Sequence, residues 1–125
     1  MPEKKLKQLQ YECDTWKRLL SFMIEENIHL KNRLSEVLKE SFNKNLLSEI
    51  ENFQTKFIKE DSLIALLRNE VAEFDKLLVR EIFENGKIAK QVKKKLKKIR
   101  TNIKNAENEF GSIKTSFNNY LTENL

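Results

Sequence analysis

Apolar residues recur at alternating spacings of three and four along three stretches of near-equal length, Leu6 to Val37, Leu46 to Leu78 and Val92 to Tyr120. That period lines one face of a helix with side chains that only another helix can bury. The stretches are separated by Phe42-Asn43-Lys44-Asn45 and by Asn85-Gly86. The sequence therefore predicts an all-α fold, an antiparallel three-helix bundle of long, coiled-coil-like helices at about 3–41, 45–85 and 87–122 in a single domain, 1–125. At about 1.5 Å per residue, each helix would be on the order of 50–60 Å long.

Written as heptads, the first stretch places Leu6, Cys13, Leu20, Asn27 and Leu34 at a, with Leu9, Trp16, Met23, Leu30 and Val37 at d. The frame fails at Ser41 and Lys44. It restarts out of phase, with Ile50, Phe57, Ile64, Val71 and Leu78 at a and Leu46, Phe53, Glu60, Leu67 and Phe74 at d. A phase jump of this kind marks a turn, because a continuous helix keeps one face buried. Asn43 or Asn45 would cap the second helix, and Ser48 with Glu51 has capping-box spacing. The frame runs nearly unbroken past Leu78, so the second break rests on Asn85-Gly86, where glycine accepts the left-handed conformation that ends many helices. The third stretch has Leu96, Ile103, Phe110 and Phe117 at a, and Val92, Ile99, Ala106, Ile113 and Tyr120 at d. A rival layout breaks the middle stretch near Glu60-Asp61-Ser62, where Asp61 would cap a new helix, and gives four helices.

Folding the first two helices back on one another pairs residues whose numbers add to about 87, the arithmetic of an αα-hairpin. Asn27 then meets Glu60, and these are the polar interruptions of two otherwise apolar stripes. A buried polar layer at mid-bundle follows, with Ser112 as a neighbour from the third helix and Gly111 allowing close approach. Such layers fix register at a cost in stability.

Chemistry is poorly served by this composition. Glu26-x-x-His29 has the spacing of carboxylate-bridged di-iron sites, but those need two such motifs and two more inward glutamates, and His29 is the only histidine. One histidine and one cysteine cannot build a haem or zinc site or a nucleophile with its base. Every a or d position is apolar, small, acidic or Asn, which leaves no inward cation for an anionic metabolite. The expectation is a non-enzymatic chain with no catalytic or metal-ligating residue, no cofactor and no small-molecule substrate. Cys13, on the apolar stripe, reads as a plain buried thiol.

Charge is distributed unevenly. Lys87, Lys90, Lys93, Lys94, Lys95, Lys97, Lys98, Arg100 and Lys104 put nine positive charges into eighteen residues without an acid, and the rest of the chain holds 15 basic against 19 acidic residues. In an up-down-up bundle this run lies beside Lys4, Lys5, Lys7, Lys17 and Arg18. Clustered cations of this kind attract polyanions such as nucleic acid, with steep salt dependence. The run lacks aromatic residues for base stacking and is mostly Lys, so a solvated face is its simplest reading.

A second oddity is the set Phe22, Ile28, Phe42, Ile58, Leu66, Val79 and Phe83, apolar residues at b, c or f outside the buried stripe. The hairpin arithmetic sets Phe22 near Leu66 and Ile28 near Ile58. An apolar surface there favours self-association as a homodimer, or docking of a helix from another protein. No run of about 18 apolar residues is present, and Met1-Pro2-Glu3-Lys4-Lys5 leads straight into an amphipathic segment, so no membrane insertion and a cytoplasmic location are expected. The chain thus reads as a helical structural or protein-protein interaction module that self-associates, with polyanion binding through the basic run as the alternative.

Overall fold

Pro2 opens the first helix, a position where its missing N–H costs nothing and its fixed φ already suits the helix. The computed structural model describes the backbone of residues 2–40, 44–81, 83–84, 87–88 and 90–124, and side chains within 4–40, 46–79 and 90–124. Three helices account for nearly all of it: α1 (Pro2–Glu40), α2 (Lys44–Glu81) and α3 (Lys90–Asn124). Every buried residue among those described occupies an a or d position of the three heptad frames, and only Leu6, Leu46 and Ile113 of those positions are half-buried. The flanking Leu19, Ile24, Leu63 and Leu77 pack partly buried against this core, widening the seam as a third helix requires.

Cross-helix contacts fix the directions. Lys17 binds Asp75 and Lys31 binds Asp61, each at 2.6 Å, so α1 and α2 run antiparallel. Arg100 binds Glu12 and Lys114 binds Glu26, both 88 residues apart in sequence, so α1 and α3 run parallel in constant register. α2 packs along both neighbours, whereas α1 and α3 approach one another least. At the α2–α3 seam, Phe117 meets Phe57 edge-on at 5.1 Å and Phe53 at 5.2 Å, and the Tyr120 hydroxyl donates to the Leu46 carbonyl at 3.3 Å.

Three sequence expectations need correction. α2 is one continuous helix, so the four-helix layout is excluded. Asp61 does not cap a helix there because its carboxylate reaches sideways to α1. Ser48 and Glu51 lie inside α2 and cap nothing, Asn45 belongs to the helix with its side chain outside the described residues, and Asn43 falls outside them altogether. Finally, α2 stops at Glu81, and a short antiparallel pair, β1 (Phe83–Glu84) with β2 (Lys87–Ile88), precedes α3. Phe83 pairs with Ile88 and Glu84 with Lys87. Alternating apolar and charged residues around an Asn-Gly dipeptide favour a two-stranded turn over continued helix. Asn85 and Gly86 themselves lie outside the described residues.

Candidate functional site: a buried polar layer between two exposed surfaces

The heptad frame aims Asn27 and Glu60 into the core, and the structure buries both, at 0% and 1% exposure. The Asn27 amide nitrogen donates to the Phe57 carbonyl at 3.0 Å and to Asp61 Oδ1 at 2.6 Å. Asp61 Oδ2 in turn accepts from Lys31. Asn27 is thereby clamped across one turn of α2. The polar layer predicted from sequence exists, but its third member differs. Ser112 is exposed, and a Cβ built on Gly111 would meet nothing within 4 Å, so Gly111 permits no close approach. Glu109, one turn before Ser112, reaches Glu60 from α3 instead and lies within hydrogen-bonding distance of its carboxyl.

Two oxygens in this layer, Asn27 Oδ1 and Glu60 Oε2, are sealed from solvent without a protein donor. Burial, reinforced by the charge of Glu109 and its hydrogen bond, raises the Glu60 carboxyl to about 7, while Lys59 opposes weakly. Glu60 is therefore protonated in an appreciable fraction near neutral pH. No group of three or more His, Cys, Asp or Glu among the described residues is arranged to hold a metal ion. Glu26 is engaged by Lys114, and His29 is exposed. Cys13 is fully buried, and desolvation, followed by Asp75, raises its thiol to about 12. A thiol so placed is a poor nucleophile.

The basic run occupies the solvent side of α3. Lys90, Lys93, Lys94, Lys95, Lys97, Lys98, Arg100 and Lys104 are all exposed, whereas the Lys87 side chain lies outside the described residues. Arg100 is the one member paired within the described residues, through two bonds of 2.6 and 2.8 Å to Glu12. Nearby, Lys17 is neutralised by Asp75, and Arg18 bonds Thr15 and stacks over Tyr11. Sequence alone could not show these pairings, because each depends on the register between helices. An open groove of about 460 Å³ between α2 and α3 sets Glu70 and Glu73 against Lys95 and Lys98, a charge-balanced wall with no nucleophile.

Of the anticipated association surface, Phe22, Ile28, Ile58, Leu66 and Val79 are exposed, joined by Tyr11 and Leu47. The side chains of Phe42 and Phe83 lie outside the described residues. These residues do not form one patch. The e positions of α1 and α2 face each other through the Lys17–Asp75 and Lys31–Asp61 pairs, so Ile28, Ile58 and Val79, at b, border the outer α1–α2 groove. Glu12 and Glu26, at g of α1, face α3 instead, which puts Phe22, at c, on the α3 side of α1. Leu66, at c of α2, borders the α2–α3 groove lined by Glu70 and Glu73. Ile28 and Ile58 border the same α1–α2 groove, whereas Phe22 and Leu66 flank α3 from opposite sides. Between Ile28 and Val79 the α1–α2 groove is floored by Ser21, Ala65 and Ala72.

The fold and these features define an all-α antiparallel three-helix bundle. No protein-family model matches the sequence, and no curated protein or solved structure is significantly similar to it.

Proposed function

We propose that this protein is a non-enzymatic helical interaction module of the cytoplasm that associates with itself through apolar side chains displayed by α1 and α2. One observation carries the reading. All seven exposed large apolar residues among those described, Tyr11, Phe22, Ile28, Leu47, Ile58, Leu66 and Val79, belong to α1 and α2, and α3 contributes none. Solvent exposure of Ile, Leu, Val and Phe at more than half of their area in several cases forgoes about 1 kcal/mol or more each, which docking recovers. The lysine-covered face of α3 opposes association on that side, which sets Phe22 and Leu66 apart and leaves the outer α1–α2 groove, bordered by Ile28, Ile58 and Val79, as the interface. Light scattering on chromatographed protein tests this. A dimer that persists in high salt and becomes monomeric on Ile58→Glu supports the reading; a monomer at every concentration overturns it.

A second reading, binding of a polyanion such as nucleic acid, is favoured by the seven exposed lysines of α3 that lack an ion-pair partner among the described residues. Cations in the first turn of α3 also oppose the helix dipole, with no acid there to compensate. Co-elution with duplex DNA at low salt and release at high salt would support this reading.

A further inference from the structure

We infer that Glu60, set against Glu109 of α3, forms a proton-dependent latch that holds the middle of α3 against the α1–α2 hairpin while Glu60 is protonated and releases it when Glu60 ionises. The geometry separates the two seams. Between α1 and α2, Asn27 is bonded to Phe57 and Asp61, Lys31 to Asp61 and Lys17 to Asp75, contacts that need no proton on Glu60. Between α2 and α3 at the same level, a buried carboxyl faces a second carboxyl. Two carboxylates can only accept, so the contact is attractive when one of them carries a proton and repulsive when neither does.

Ionised Glu60 has nowhere to place its charge. Its Oε2 is sealed from solvent without a donor, and the Asn27 amide is already given to Phe57 and Asp61. The charged groups around the layer give no relief. From α2, Lys59 points to solvent and Asp61 is bound by Lys31 of α1. From α1, Glu26 is held by Lys114 of α3, and from α3 the nearest group is Glu109 itself. Moving α3 outward admits water and lengthens the carboxyl contact. α3 meets α1 least, and the two ion pairs described between them, Arg100–Glu12 and Lys114–Glu26, are part-exposed, so an outward movement of α3 gives up little on that side. The carboxyl, raised to about 7 by burial and by Glu109, titrates near neutral pH.

Amide hydrogen exchange of the full chain, read by mass spectrometry and corrected for the intrinsic pH dependence of exchange, tests the latch. If release restores Glu60 from about 7 to its ordinary 4.5, protection of residues 103–117 falls roughly 70-fold between pH 5 and pH 8. Protection of residues 13–34 falls several-fold less. Glu60→Gln makes the α3 profile flat. Glu109→Gln alters an exposed residue that the fold tolerates, and moves the loss of protection to lower pH. The inference is overturned if all three helices lose protection equally, if α3 of the native sequence shows no pH dependence, or if that dependence survives in Glu60→Gln.

Discussion

Glu60→Gln should make this protein more stable, and by an amount that depends on pH. The native carboxyl is raised from 4.5 to about 7, chiefly by burial and then by Glu109. A group with a higher folded than unfolded pKa binds more protons in the folded state between those two values, so its contribution to stability is fully present below pH 4.5 and is lost as pH rises toward 7. At 1.36 kcal/mol per unit, the loss approaches about 3 kcal/mol and is complete somewhat above pH 7. Glutamine matches the shape of the protonated acid, donates a hydrogen bond to Glu109 and never ionises. Urea denaturation of both proteins at pH 4.5, 6 and 8 should therefore give near-equal stabilities at the lowest pH and a variant about 3 kcal/mol more stable at the highest. That difference would be a large share of the total for a domain of this size. A difference that does not vary with pH, or a variant less stable at pH 8, would refute the reasoning, because either result means that Glu60 is ionised and well paired in the native fold.

Other expectations follow from the same contacts. Cys13, buried and with its thiol raised to about 12, should react with a disulfide reagent only as fast as the protein unfolds, so subdenaturing urea should accelerate labelling by orders of magnitude. Phe117→Ala removes a fully buried ring packed on Phe53 and Phe57 and should cost about 3–5 kcal/mol, measurable as a lower denaturation midpoint with unchanged slope. Asp75→Asn breaks the solvent-exposed pair with Lys17 and should cost less than about 1 kcal/mol by the same assay. Changing Lys94, Lys95, Lys97 and Lys98 to Glu alters only exposed positions; helicity by circular dichroism should persist while any affinity for duplex DNA is lost.

The core was legible because heptad position decides burial when helices of equal length lie side by side. The burial of Asn27 and Glu60 could be read from sequence because both fall on the inward stripe, and a hairpin sets them at about the same level, where the Asn27 amide in fact bonds the Phe57 carbonyl and Asp61. The third member of their layer could not be found this way. Facing residues of α2 and α3 have numbers adding to about 170, as the Phe53–Phe117 contact shows, and that sum brings both Glu109 and Ser112 to the level of Glu60. Heptad position separates them: with Phe110 at a, Ser112 falls at c on the solvent side of α3, whereas Glu109 falls at g beside the core. The exposed apolar residues were legible as misfits, but their division between two sides of the hairpin was not, because the heptad letters b and c carry no information on which side the third helix lies. Ion pairs at Glu12–Arg100 and Lys17–Asp75 supplied it.

The polar layer also explains why three coiled-coil helices of near-equal length settle into one alignment. Slide α1 along α2 by one heptad and nearly every apolar side chain finds another apolar side chain, so the hydrophobic stripes alone discriminate weakly. The slide would set Asn27 against Phe53 or Leu67 and strip its amide of both acceptors, the Phe57 carbonyl and Asp61. It would also part Lys31 from Asp61 and bury Glu60 among leucines. Leaving these buried groups unpaired costs about 1–3 kcal/mol each. The native alignment keeps two orphan oxygens, Asn27 Oδ1 and Glu60 Oε2, yet still satisfies the amide nitrogen and the Asp61 carboxylate. Replacing both residues by leucine should accordingly raise the denaturation midpoint and loosen the register. In a background lacking Cys13, a cysteine at 24 would then cross-link both to one placed at 68 and, in a separate variant, to one placed a heptad away at 75, whereas cross-linking at 68 alone would mean that the remaining ion pairs suffice to set the alignment.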